Sequence, residues 1–268
     1  MRKIWKTKYP TWELSDKFSI SQFPEADNLV KNVAAYAILS HTWLRSNPGE
    51  ITYSDWINQR FNFNDSGYQK LTKFCQTAFA DHDISLGWMD TICINKDSSS
   101  ELDESIRSMY KWYQSSKICV VYLAEALKIP EIHQDPWFIR GWTLQELLAP
   151  KVAKFYNRNW VKFEADSRND KPYWSRNSLK KFTKVDSPTI MDQIQHATTI
   201  SKNELLDISY MPFSRRMELA AKRKVTREED MAYSLMGIFN VSIAIAYGEG
   251  SVRAFLRLLE AVLNSRQD

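Results

Sequence analysis

Glycine is scarce in this chain of 268 residues, at 7 positions, which disfavours glycine-rich phosphate loops. The one close glycine pair, in Tyr247-Gly248-Glu249-Gly250, lacks the lysine and the strand–loop–helix setting of such a loop and reads as a turn. Cysteine is scarcer, with Cys75, Cys93 and Cys119. Three cysteines inside apolar segments, without metal-type spacing, exclude a disulfide framework and a cysteine metal site; they read as reduced, buried thiols. Long hydrophobic runs are missing too. The longest near the end, residues 241–247, is far too short to span a bilayer, and residues 1–10 mix Lys and Arg with Trp and Tyr instead of forming a signal-peptide core. The expectation is a soluble cytoplasmic protein with no membrane partner and no bound metal. Charge of one sign is also lacking: 36 basic residues against 32 acidic ones give +4, too little for a nucleic-acid partner. The densest basic stretch, Arg215, Arg216, Lys222, Arg223, Lys224 and Arg227, is interrupted by Met217, Leu219 and Ala220 at helical spacing, so it reads as a solvated helix face.

What is present is ordinary for a globular protein: 44% hydrophobic, 13% aromatic and 25% charged residues, with 10 tryptophans to fill a large core. A chain of this length buries roughly 70–75% of its unfolded surface. Short apolar runs at residues 34–40, 86–94, 117–123 and 151–156 read as buried strands. Between them lie helical stripes: Leu71, Phe74, Cys75, Ala78 and Phe79; Leu102, Ile106, Met109, Tyr110 and Tyr113, capped by Ser99 or Ser100; and residues 138–148, stopped by Pro150. Alternating strands and helices, apolar on both sheet faces, predict an α/β fold, an open parallel sheet flanked by helices. Residues 1–33 form an extension, 34–160 the core and 161–268 a mainly helical appendage, with a polar loop at 166–177, helices at 190–208 and 215–238 (Asp207, Ser209 and Ser214 as candidate caps) and a closing amphipathic helix from Val252.

In such a sheet ligands bind beyond the carboxyl ends of the strands. Ser40 and His41 end the first strand, Asp90 interrupts the second with Cys93 following, and Glu125 follows the third. The next helix carries Arg140, Trp142 and Glu146, with Trp142 and Glu146 one turn apart. Glu146, among Leu144, Leu147 and Leu148, is either a functional carboxylate at an apolar edge or a surface residue paired with Arg140. Asp90 reads first as a loop organiser, His41 as a satisfied histidine that remains a candidate base, and Cys93 with His41 as a weak nucleophile–base pair. Trp43 is the aromatic best placed to meet a planar ligand.

Residues 36–43 (YAILSHTW), 88–94 (WMDTICI) and 140–150 (RGWTLQELLAP) resemble the three signature blocks of the fungal heterokaryon-incompatibility (HET) domain. Residues 226–239 (TREEDMAYSLMGIF) and the following turn resemble the segment that usually comes next. Two departures stand out: Leu44 where the family usually has Gly, and Asn95 where an acidic residue or Gln is common. HET domains are in turn similar to Toll/interleukin-1 receptor (TIR) domains, of flavodoxin-like fold. In the TIR enzymes that cleave NAD⁺, a Trp-x-x-x-Glu element supplies the catalytic glutamate, which corresponds here to Glu146. The resemblance therefore implies an NAD⁺ glycohydrolase that drives incompatibility-type cell death, with NAD⁺ or NADP⁺ as substrate and no resident cofactor. It further implies Ser40, His41, Trp43, Asp90, Cys93, Arg140 and Trp142 around the substrate, and a homo-oligomer as the active form. The rival it leaves open is a non-catalytic module that signals by self-association.

Overall fold

A computed structural model describes residues 34–46, 48–163 and 189–265. The extension at 1–33 and the polar loop at 166–177 lie outside the described residues. Four parallel strands form one sheet: β1 (Tyr36–His41), β2 (Leu86–Trp88), β3 (Ile118–Tyr122) and β4 (Ala153–Tyr156), in the order β2-β1-β3-β4. Helices α1 (Tyr53–Ile57) and α2 (Ser66–His82) connect β1 to β2; α3 (Asp90–Cys93) and α4 (Ser99–Ser115) connect β2 to β3. Two 3₁₀ turns, Ile129–Gln134 and Pro136–Ile139, and α5 (Thr143–Leu148) precede β4.

Side chains alternate across a strand, and here both faces are covered. Ala37 and Leu39 of β1 join Ile118 and Val120 of β3 against Leu71, Phe74 and Ala78 of α2. Ile38, Cys119 and Val121 face the other way, onto Ile106 and Tyr113 of α4 and Leu144 and Leu147 of α5. That second core continues into Ile194, Leu205, Leu219, Tyr233 and Leu258, so the helices after residue 189 share the core on this face of the sheet.

Several expected elements are shorter than their apolar runs. The second strand stops at Trp88, and Asp90–Cys93 forms a helical turn in which the Ile92 and Cys93 N–H groups reach the Met89 carbonyl. The helix expected at 138–148 is broken at Gly141, whose N–H donates to the Lys224 carbonyl while the Lys224 N–H donates to Ile139. A Cβ on Gly141 would overlap Val225, so this pairing needs glycine. Ser98, not Ser99 or Ser100, caps α4 by accepting from the Glu101 N–H. The 190–208 stretch divides at Thr199, which is left-handed (φ 63°), into α6 (Ile190–Thr198) and α7 (Lys202–Leu206), with Ser201 and Glu204 forming a capping box on the second. Beyond it come a 3₁₀ turn, Ile208–Tyr210, then α8 (Phe213–Ala221), α9 (Asp230–Tyr233), α10 (Met236–Phe239) and α11 (Ser251–Asn264). Asp207 caps that 3₁₀ turn through the Ser209 N–H, and Pro212, not Ser209 or Ser214, occupies the cap position of α8.

The buried stripe of α2 is rotated from the expected one. Lys70, Leu71, Phe74, Thr77 and Ala78 face inward, while Phe79 and Cys75 are exposed. The rotation brings Lys70 to a buried glutamate, described below; of the three thiols only Cys119 is fully buried. The basic stretch is a solvated face only in part: Lys222, Lys224 and Arg227 are exposed, whereas the others turn to partners or into the core. Arg215 pairs with Glu204 and Glu218, Arg216 donates to the carbonyls of Met211, Ile208 and Ile238, Arg227 lies over the Tyr247 ring, and Arg223 is buried. Among the described residues no helix is long and apolar enough to cross a membrane.

Helices α10 and α4 touch at Gly237, where an added Cβ would overlap the Cβ of Tyr110. Gly237→Ala is therefore expected to lose about 1–3 kcal/mol through overpacking, read as a lower urea midpoint. An unchanged midpoint would mean that the two helices separate freely.

Candidate active site

The carboxyl ends of β1 and β3 mark the switch point of this sheet, where neighbouring connections leave in opposite directions. There the last residues of β1 meet α5. Ser40 is completely buried, and its hydroxyl donates to Glu146 Oε2 at 2.5 Å. Trp137 Nε1 donates to Ser40 Oγ at 2.7 Å, so one donor chain runs from indole to hydroxyl to carboxylate. Trp137 is held in turn by Asp135, a buried acid that accepts from the N–H groups of Glu125, Ala126 and Trp137.

Glu146 is 8% exposed. Burial dominates its titration and raises its carboxyl to about 7; the nearby charge of Asp90 adds to this, while Ser40, His41 and Arg140 act against it. Tyr113 lies beside it, donating to the Leu39 carbonyl, and burial together with the Glu146 charge pushes the phenol well up. Behind α5 stands Arg223, donating to the Arg140 carbonyl (2.9 Å) and Thr143 Oγ1 (2.8 Å). Burial draws this guanidinium down to about 9, opposed by Glu146.

A second network adjoins the first. His41 Nε2 donates to Asp90 Oδ1 at 3.1 Å, Trp43 Nε1 donates to Asp90 Oδ2 at 3.0 Å, and Lys96 Nζ is 3.6 Å from the same carboxylate. Burial would raise Asp90, but His41, Lys96 and Trp43 outweigh it and hold the carboxyl well below the usual range. On the far side of the imidazole, Nδ1 lies 3.5 Å from Glu50 Oε1. Glu50 also accepts from Lys70 Nζ at 2.5 Å and from the N–H of Leu44 at 2.9 Å. Burial alone would raise Glu50; His41 and Lys70 together hold it at about 2. Close approach fixes this corner, since a Cβ on Gly67 would meet the Ile51 nitrogen at 2.8 Å.

Trp43 is 43% exposed, with Lys96 Nζ 3.7 Å from its ring centroid and Arg140 Cζ at 5.7 Å. An open indole flanked by two cations thus stands at the edge of this cluster, whose buried Glu146 carboxyl titrates near neutrality. Such a rim suits a planar, anionic ligand. Among the described residues no group of three His, Cys, Asp or Glu side chains could hold a metal ion.

Of the sequence-derived candidates, Ser40, His41, Trp43, Asp90, Arg140 and Glu146 come together. Ser40, being buried, touches Glu146 rather than lining an open surface. Trp142 turns away to donate to Asp230 Oδ2 at 3.0 Å, tying α5 to the C-terminal helices. Cys93 makes no hydrogen bond to His41, whose nitrogens face two carboxylates, and burial pushes its thiol up, so the nucleophile–base pair is absent. Glu125 is exposed, and its backbone N–H donates to Asp135. Glu50, Lys70, Lys96, Tyr113, Asp135, Trp137 and Arg223 were not singled out. Two had a signal: Lys70 interrupts an apolar stripe, where a charge needs a partner, and Asp135-Pro136 is a capping pair at the start of a helical turn.

The family model described as "Heterokaryon incompatibility protein (HET)" matches residues 36–128. The chain is also 35% identical over 252 residues to the "Vegetative incompatibility protein HET-E-1" of Podospora anserina, an alignment covering 89% of this chain and 17% of that relative's length. No solved structure matches it. The signature blocks, the matched segment and this identity lead to one conclusion: residues 36–128 of the chain match the heterokaryon-incompatibility (HET) domain family.

Proposed function

We propose that this chain is an NAD⁺ glycohydrolase that breaks the nicotinamide–ribose bond, with Glu146 as its catalytic residue, and that this activity drives vegetative-incompatibility cell death. The observation that carries the reading is the buried Glu146 carboxyl at the switch point, titrating at about 7 beside a cationic, aromatic rim. The strand order 2-1-3-4 supports the finer fold reading, since flavodoxin-like sheets, including those of TIR domains, begin the same way.

The chemistry asks for one carboxylate. The nicotinamide nitrogen is already cationic in the substrate, so the glycosidic electron pair passes to it and neutral nicotinamide leaves without a proton. The ribose becomes oxocarbenium-like, and an ionised Glu146 beside it stabilises that charge. Water then adds to the ribose carbon, and the proton it sheds passes to Glu146, a suitable acceptor at a pKa near 7. A bound pyridinium also favours the ionised carboxylate, since an opposite charge lowers a carboxyl pKa. Arg140 and Lys96 offer hydrogen bonds and charge to the phosphates, and the exposed face of Trp43 offers a stacking surface.

The titration gives a signed expectation. Only ionised Glu146 serves, so kcat/KM for NAD⁺ is expected to rise about tenfold per pH unit below 7 and to level off above it, while kcat turns at a lower pH because bound substrate holds the carboxylate ionised. A flat profile from pH 5 to 8 would contradict this role.

The reading itself is tested by incubating the purified chain with NAD⁺ at low and high protein concentration and separating the products. Nicotinamide and ADP-ribose in equal amounts are expected. With Glu146 so little exposed, greater release per chain at high concentration would mean that assembly opens the site. No release at any concentration would overturn the reading in favour of a non-catalytic, self-associating module.

A further inference from the structure

Helix α11 buries Ala254, Leu258 and Val262 against the core, yet its outer face is not polar. Val252, Leu256 and Leu263 are 74%, 60% and 64% exposed, and half-buried Leu259 completes the row. The four are spaced 4, 3 and 4 residues apart, which is the a/d spacing of a coiled-coil seam. At 100° per residue they occupy a strip about 60° wide, turned about 130° from the core-facing residues. A surface helix ordinarily puts charge there. Here the charge stands to one flank, with Arg253 and Glu260 both exposed.

We infer that this face is a self-association surface, on which α11 packs antiparallel against α11 of a second copy of the chain. The charge pattern selects that occupant. With Val252 and Leu259 at d and Leu256 and Leu263 at a, Arg253 and Glu260 both fall at e. In an antiparallel pair e faces e, so a two-fold axis between Leu256 and Leu259 sets Arg253 of each copy against Glu260 of the other. Val252 then meets Leu263, and Leu256 meets Leu259. The surface is complementary to itself, as a two-fold interface must be. In a parallel pair e faces g, and the g positions are Phe255 and Val262, so neither charge would find a partner. Arg253 is available for this, since its only ion pair among the described residues is a 3.8 Å approach to Glu249.

The seam is short. Fourteen residues of helix span about 21 Å, which puts the contact among small, transient interfaces of under about 1,200 Å² in total. Association is therefore weak and follows local concentration. It does not depend on NAD⁺ cleavage.

Sedimentation velocity over a hundred-fold range of chain concentration, without substrate, tests the inference. The native chain is expected to shift from monomer toward dimer, and Leu256→Glu to remain monomeric at every concentration with an unchanged circular dichroism spectrum. Arg253→Glu and Glu260→Arg should each weaken the dimer about tenfold, and the double exchange Arg253→Glu/Glu260→Arg should restore it, because the symmetric pairs re-form with reversed sign. A native chain that stays monomeric, or a dimer that persists in Leu256→Glu, would overturn the proposal. A double exchange no better than the single ones would overturn the antiparallel pairing. All arms read mass, so they stand whether or not the chain proves to be an NADase.

Discussion

Glu146→Gln is expected to reduce nicotinamide release about a thousandfold and, at the same time, to make the protein harder to unfold at alkaline pH. Both effects follow from one burial. The amide keeps the shape and can still accept from Ser40, but it carries no charge to set against the oxocarbenium ion; removing one such electrostatic partner typically costs 10²–10³ in rate. The stability effect has the opposite sign. Folding raises this carboxyl from 4.5 to about 7, so between those values the folded state keeps a proton that the unfolded state gives up. Native stability should therefore fall as pH rises from 4.5 to 7, by about 3 kcal/mol in all. The glutamine variant has no such slope. Its melting temperature should equal the native one near pH 4 and exceed it by several degrees at pH 8. A variant that lost activity and also melted lower across this range would point to a structural role for Glu146.

The second large effect concerns Lys70. It is buried, donates to Glu50 and to the Thr42 carbonyl, and lies 5.7 Å from the Tyr122 ring centroid. Lys70→Met leaves Glu50 buried without its ammonium partner, and breaking a buried pair from one side costs about 3–5 kcal/mol. Lys70→Met/Glu50→Gln, which removes both charges, should recover most of that loss. The native network also carries a pH signature: Glu50, held at about 2, contributes stability that is complete above about 4.5 and fades as pH falls through 2. Urea titrations at pH 7 and pH 3 read both expectations. A single variant within 1 kcal/mol of native at pH 7 would show that the pair is replaceable by packing.

The sheet was legible because its central strands are continuous apolar runs, and residues buried on both faces leave no polar alternation to mislead. Residues 36–41 and 118–122 could be read in that way, and so could α4, whose stripe is strictly periodic. Two of the departures from the pattern trace to a tertiary contact, and another to the left-handed backbone of Thr199. The Gly141–Lys224 pairing breaks a helix that periodicity alone would continue. Lys70 turns α2 by about one residue to reach Glu50. Thr199 breaks a stretch whose spacing reads as a single helix.

Glu146 was visible in the sequence as a polar position on an apolar helix, and its role there rested on resemblance. Its environment was not legible, because it is assembled from afar. Ser40 is 106 residues away along the chain, and Ser40 and Trp137 are 97 apart. Arg223 reaches the start of α5 from a stretch that looked like a solvated basic face. No local pattern encodes such meetings. What local sequence does offer is a cost without a visible partner, a lysine in an apolar stripe or a carboxylate among leucines, and those positions mark where distant partners must arrive.

The most direct test of the account compares the native chain with Glu146→Gln, at equal concentration and at pH 7.5, after both are shown to be folded and equally assembled. Nicotinamide released from NAD⁺ is followed by chromatography over many hours. The account predicts steady release by the native chain and release near the uncatalysed background by the variant. Equal release by the two proteins would remove Glu146 from the chemistry and contradict the central claim.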